Sequence, residues 1–276
     1  MDPRYALAYS GLADCYGLLS FDNARPVKNM PKARAMALKA LELDDQLAEA
    51  HTSLAMLKAL YDWDWPQAEA AFRRAIALNP GHATAHHWYA VFLNAQGRTR
   101  ESKAQFTLAL ELDPLSTIIN TNAGYPAHYQ RDYPAAIQTY RKVLDLDPTF
   151  QTARKDLILA LEQTGRIDEA GAETIQLLQQ AGDAEFASRF RRSGYREGMP
   201  AWRDRVESSA HRVYVSPATL AQFAIRTGEN EAAFRYLNLA VEERSAPLAY
   251  LKVNPLYDPI RGDRRFGALL DKVGLR

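Results

Sequence analysis

ALNPGHATA at 77–85, ELDPLSTII at 111–119 and DLDPTFQTA at 145–153 are one phrase met three times. Pro80, Pro114 and Pro148 lie 34 residues apart. The same offset links Phe72, Phe106 and Tyr140, then Ala75, Ala109 and Val143, with Gly97 and Gly165 two periods apart. Within a period, apolar residues recur at three- and four-residue spacing, a turn follows near Gly97 or Gly165, and a second helical pattern runs to Asp-Pro or Asn-Pro. Proline cannot continue a helix and biases the residue before it away from the helical region, so each phrase ends one helix before the next begins. Each unit therefore reads as a helical hairpin. Stacked hairpins replace the two ordinary domains that 276 residues would otherwise suggest.

The in-phase residues resemble the tetratricopeptide repeat (TPR). Tyr9, Leu12, Ala13, Tyr16, Ala33 and Ala40 fill its positions in a first unit, and Leu54, Ala55, Ala68, Phe72, Ala75 and Pro80 in a second. Tyr89, Ala90, Gly97, Phe106, Ala109 and Pro114 follow, then Gly124, Ala136, Tyr140 and Pro148, then Leu157, Leu161, Gly165 and Ala170. Small residues let the helices approach and the aromatic fills the space between them; one unit cannot bury its apolar face alone, so neighbours must stack. The resemblance implies an all-α, right-handed α-solenoid of stacked antiparallel helical hairpins with a C-terminal capping helix. Its expected extent is 1–247, in units of about 6–47, 48–82, 83–116, 117–150, 151–184, an irregular 185–213 and 214–247, with the cap at 248–276.

Departures from the pattern carry further expectations. The first unit has about eight extra residues within SFDNARPVKNMPKA, where Pro26 and Pro31 predict an extended connection. YDWDWP at 61–66 adds one residue, and Trp63 and Trp65 read as staples for a longer turn. The 185–213 stretch lacks the usual alanines and reads as two short helices around Gly198-Met199-Pro200. The pattern returns with Leu220, Ala221, Gly228, Ala233, Leu237 and Ala240, and Asp2-Pro3 reads as the closing phrase of a preceding repeat, which leaves the N-terminal face uncapped.

Composition narrows the function classes. Apolar residues make up 47% and charged ones 24%, and the net charge is +1, which fits a folded chain and neither a disordered tail nor a basic nucleic-acid-coating arm. No apolar run spans a bilayer and the start has no export signal, so a cytoplasmic, non-membrane location is expected. Cys15 is the single cysteine and reads as a small buried apolar residue. His82, His86 and His87 cluster without a third ligand type nearby, so no metal and no cofactor is expected. With no phosphate loop, nucleophile elbow or ordered triad, the chain reads as non-enzymatic, a site near 185–213 being the minor alternative. Arg189, Arg191, Arg192, Arg196, Arg203 and Arg205 make that stretch basic, but Glu197, Asp204 and Glu207 dilute it, so no direct nucleic-acid binding is expected.

In TPR proteins ligands contact particular positions of the first helix of each hairpin. The resemblance thus implies a concave groove presenting Asp14, then Thr52 and Met56, then His87, Trp88, Val91 and Asn94. Thr121, Asn122, Tyr125, His128 and Tyr129 follow, and Lys155, Asp156, Leu159 and Glu162 end the row. Aromatic anchors among Asn and Thr suit a peptide or another protein. Ser10, Asp14, Thr52, Met56, His87 and Val91 stand where chaperone-binding TPR modules carry their two-carboxylate clamp, so that mode is not expected. AYSGLADCYGLL, YDWDW, TAHHWYA, LDPLSTIINT and YLKVNPLYDPIRGDRRF also resemble the C-terminal repeat region of bacterial multidomain signalling proteins, where repeats follow a winged helix, a class III cyclase or a Ser/Thr kinase. That implies a sensory or scaffolding module binding a protein partner; the alternative is homo-oligomerisation through the uncapped N-terminal face.

Overall fold

Fifteen helices and two 3-10 turns form among the described residues, 4–22 and 24–275 of a computed structural model, with no β-strand between them. The phrase Asp2-Pro3 lies outside these residues. The hairpins are α1 (Ala6–Asp22) with α2 (Pro26–Leu43), and α3 (Ala48–Leu57) with its π-helical extension Lys58–Asp62 and α4 (Trp65–Leu78). Next come α5 (Ala83–Ala95) with α6 (Thr99–Leu112), and the split α7 (Thr117–Asn122) and α8 (Tyr125–Tyr129) with α9 (Tyr133–Leu146). Then follow α10 (Gln151–Gln163) with α11 (Ile167–Gln180), α12 (Ala184–Ser209), and α13 (Pro217–Arg226) with α14 (Asn230–Glu242). The 3-10 turns Ala246–Tyr250 and Pro255–Ile260 lead into α15 (Arg264–Val273). The architecture is an α-solenoid of helical hairpins.

The repeated residues do the packing. Ala68, Ala75, Ala109, Ala136 and Ala170 are fully buried, and Phe72, Phe106 and Tyr140 fill the gaps beside them. At Gly124 a Cβ would come within 2.6 Å of the Tyr140 ring, so the helices meet there only because the residue is glycine. Gly97 and Gly165 turn their hairpins at φ 78° and 71°. Halfway between them Arg131 takes the same left-handed conformation, φ 65°, despite its side chain.

A second periodic feature is polar. His51, His86, Asn120 and Arg154 occupy the same place in four successive hairpins, and each meets the carbonyl six residues earlier. His51 Nε2 lies 3.0 Å from the Asp45 oxygen and His86 Nε2 2.9 Å from that of Pro80. Asn120 Nδ2 donates to Pro114 at 2.9 Å and Arg154 Nη2 to Pro148 at 2.6 Å. The turn before each hairpin is thereby satisfied by a side chain of the helix that follows. Gln105 Oε1 sits 2.7 Å from the other ring nitrogen of His86, so that histidine is an inter-helix strut.

Several expectations change. The extra residues of the first hairpin lengthen its helices instead of forming an extended link: Pro26 opens α2, where a missing N–H costs nothing, and Pro31 lies inside it on the exposed side. The break in the sixth unit falls at Gly194 (φ 74°, ψ 174°), not around Gly198-Met199-Pro200. Gly198 is instead a contact glycine, since a Cβ there would lie 2.6 Å from the Phe190 ring. Cys15 is exposed on α1, not buried.

Candidate functional site: the concave groove and what fills it

The expected groove residues come from α1, α3, α5, α7, α8 and α10, and the chain's own C-terminal segment lies against several of them. Ala246 and Ala249 pack with Met56, Phe72 and Phe92 in one apolar cluster. Tyr250 packs onto Ala90, Val91 and Phe106, and its ring sits 5.9 Å from that of Tyr129. Ala246, Leu248, Ala249, Leu251 and Tyr257 are fully buried. Between this segment and Met56, Trp65, Trp88 and Val91 only about 10 Å³ stays open, room for one water.

Polar ties fix the segment from both sides. Arg131 grips Asp258 bidentately, with Nε–Oδ2 at 3.1 Å and Nη2–Oδ1 at 2.8 Å. Its left-handed backbone conformation therefore carries a side chain that a glycine at the turn could not supply. Trp65 Nε1 donates to the Val273 carbonyl at 3.1 Å, and Arg244 Nη1 donates to the carbonyls of Tyr61 and Asp62 at 3.1 and 3.2 Å while covering the Trp63 ring at 5.0 Å. YDWDW thus fastens the second hairpin to the last one and to the C-terminal helix.

Beneath the segment the expected residues have definite places. Thr52 and Thr121 bond back to Ala48 and Thr117 in their own helices at 2.9 and 2.8 Å. Ser53 donates to Asp14 Oδ1 at 2.5 Å. Asn122 Nδ2 donates to His87 Nε2 at 2.9 Å, and burial pushes the His87 imidazole down to about 4. His128, edge-on to Tyr129 and Tyr133, is pushed down to about 4 for the same reason. Asn94 is buried with no hydrogen-bond partner among the described residues. Tyr125 and Tyr129 stack at 5.5 Å.

Asp156 sits among Tyr125, Tyr129, Tyr140 and Tyr250. Burial pushes its carboxyl up to about 7, against the pull of Lys155 and of the Tyr125 hydroxyl. Leu159 is half-buried and Lys155 exposed. Glu162 closes the row: Arg226 Nε reaches both its oxygens at 3.1 Å and the Tyr195 hydroxyl donates to it. Thr52, Met56, His87, Val91, Asn94, Thr121, Asn122 and His128 are thus all buried, and of these Met56 and Val91 pack directly with the segment, through Ala246, Ala249 and Tyr250. The family positions indicated the lining; they carried no sign that the lining is covered. Arg131 in the place of a turn glycine was the available signal.

Among the described residues no group of three or more His, Cys, Asp or Glu side chains could hold a metal, and no helix is long and apolar enough to cross a membrane. Apolar side chains of α1 are among those left at the surface. Leu7, Leu18 and Leu19 of α1 are 43%, 50% and 47% exposed, on a face shared with Gly11 and Cys15.

Two tetratricopeptide-repeat family profiles match residues 58–117 and 127–188. Among solved structures, PilW, described as a widely conserved type IV pilus biogenesis factor, is similar at 20% identity and TM-score 0.50, covering 96% of this chain and 98% of its own. The Cut9–Hcn1 hetero-tetramer of the APC/C is similar at 14% identity and TM-score 0.53, covering 99% of this chain and 43% of its own. At these identities the likeness is one of fold. No curated protein matches. The chain carries tetratricopeptide repeats, a fold typical of protein–protein interaction and scaffolding modules.

Proposed function

We propose that this chain is a non-enzymatic scaffold for protein–protein contacts in a cytoplasmic bacterial signalling or transcription-regulatory protein, and that it meets its partner on the outer face of α1. The bacterial and signalling context rests on the resemblance of phrases such as AYSGLADCYGLL and YLKVNPLYDPIRGDRRF. One observation supports the choice of surface: residues 246–260 pack against the expected lining at Met56, Val91 and Tyr129, whereas Leu7, Leu18 and Leu19 stay exposed. In a solenoid, a first-helix face of this kind is what each hairpin offers to its neighbour. An apolar helix of a partner continues that stacking.

Placing a photo-crosslinking amino acid at position 18 or at position 94 in the source cell tests the reading. A defined protein adduct from 18 and none from 94 is expected. Adducts from 94 alone would mean that the segment leaves and the groove is the partner site, which overturns it.

A second reading, self-association, is favoured by one feature: the exposed α1 side chains Leu7, Cys15, Leu18 and Leu19 carry no charge, so a second copy presents a matching face across a two-fold axis. Light scattering over a concentration series decides it. A dimer that Leu18→Glu with Leu19→Glu converts to monomer supports it, and a monomer at every concentration removes it.

A further inference from the structure

α12 is a bent hairpin in one element. Its break at Gly194 folds the helix back on itself, and Phe186, Phe190, Met199 and Trp202 pack in the fold. A cleft of about 550 Å³ opens beside this hairpin, within the roughly 300–1,000 Å³ typical of ligand sites. Arg189, Arg205 and Arg212 line it together with Ser208, Ser209 and His211.

The charges there are unbalanced. Arg205 is paired with Asp183 at 2.6 Å. Asp204, the one carboxylate in the lining, is held by Arg203 at 2.6 Å. Arg189 and Arg212 have no carboxylate within ion-pair distance among the described residues, and both are exposed. Arg212 Nε donates to His211 Nε2 at 3.0 Å, which turns that imidazole nitrogen into an acceptor and leaves the rest of the guanidinium to the cleft. Two unpaired guanidinium groups facing one recess, beside the Ser208 hydroxyl, are complementary to closely spaced anionic groups.

We infer that the α12 cleft binds an acidic peptide segment of a partner protein, with two of its carboxylates taken by Arg189 and Arg212. The site is distinct from both the filled groove and the α1 face. A nucleic acid fits less well. Single strands bind on broad exposed aromatic platforms, and here the lining has no Tyr or Trp, its single phenyl ring, Phe186, being buried and covered by the Arg205 guanidinium at 5.3 Å. A duplex needs a long row of phosphate contacts, and Glu185, Glu197 and Glu207 interrupt the arginines within one hairpin. A short acidic peptide needs only the two unpaired arginines and the recess between them.

The test is fluorescence anisotropy with the full chain and a short labelled peptide in which Glu alternates with Leu. Binding that weakens as salt rises is expected, with affinity reduced about tenfold by Arg189→Ala plus Arg212→Ala. Arg189→Lys plus Arg212→Lys should retain more of it, and Arg141→Ala, at a distant exposed pair, should change nothing. Both cleft arginines are exposed, and an unchanged circular dichroism spectrum checks that the variant folds. No binding by the native chain, equal binding by the double alanine variant, or tighter binding of an oligothymidine than of the peptide would each overturn the proposal.

Discussion

The two ends of this solenoid finish in opposite ways. At the C-terminal end α15 lays Phe266, Leu269 and Val273 onto Leu220, Phe234, Leu237 and Tyr257, and exposes Arg264 and Lys272 to water. The segment that leads to it packs against Met56, Phe92, Val91 and Tyr129. At the N-terminal end α1 keeps Leu7, Leu18 and Leu19 outside, with no element over them among the described residues. A repeat fold has no central core, so each end has to dispose of an apolar face. One end does so with its own chain, and the other leaves Leu7, Leu18 and Leu19 at the surface.

The largest expected difference between the ends is in stability. Leu248→Ala, at a fully buried site in the groove segment, should cost about 2–5 kcal/mol in chemical unfolding. Leu18→Ala, half exposed on α1, should stay within about 0.5 kcal/mol. Equal costs would erase the contrast.

A smaller effect is expected where the two ends of the chain's path are tied. Gly274 ends α15 at φ 69°, with its Cβ direction 3.2 Å from Trp65 Nε1, so Gly274→Ala should cost about 1–2 kcal/mol. Trp65→Phe removes the bond to Val273 and should cost about 1 kcal/mol. If neither moves the denaturant midpoint, the tie between the second hairpin and α15 contributes nothing.

The smallest effect is a pH dependence. In the folded chain Asp156 titrates near 7, above the ordinary value of 3.8, so the folded state holds a proton that the unfolded chain releases. The contribution of that proton is complete below about pH 4 and is lost as pH rises through 7. Asp156→Asn should therefore match the native melting temperature near pH 4 and exceed it by a growing margin up to pH 8. His87 and His128 run the other way, losing stability as pH falls from 6.5 toward 4, and they cancel in the comparison because both proteins carry them. A margin that does not change with pH would show that Asp156 is hydrated, and so that the segment does not seal it.

The hairpins were legible in the sequence because their packing is local: Ala75 beside Phe72, or Ala109 beside Phe106, recurs each time the chain repeats. The recurring polar strut at His51, His86, Asn120 and Arg154 is equally periodic, but it varies in residue type and only its shared carbonyl contact reveals it. The filling of the groove was not legible. It depends on contacts such as Arg131 to Asp258 and Trp65 to Val273, which join places far apart in the chain and leave no period. The basic cleft was visible as a run of arginines, but which of them lack a carboxylate is decided by the bend at Gly194.

Hydrogen exchange followed by mass spectrometry on the full chain tests the filled groove most directly. The amides of Leu251, Asn254 and Tyr257, which bond to Leu248, Tyr250 and Asn254 within the segment, should exchange as slowly as those of α5 and α10 beneath them. Exchange of residues 246–260 at the rate of an unprotected chain, with α5 and α10 still slow, would contradict it.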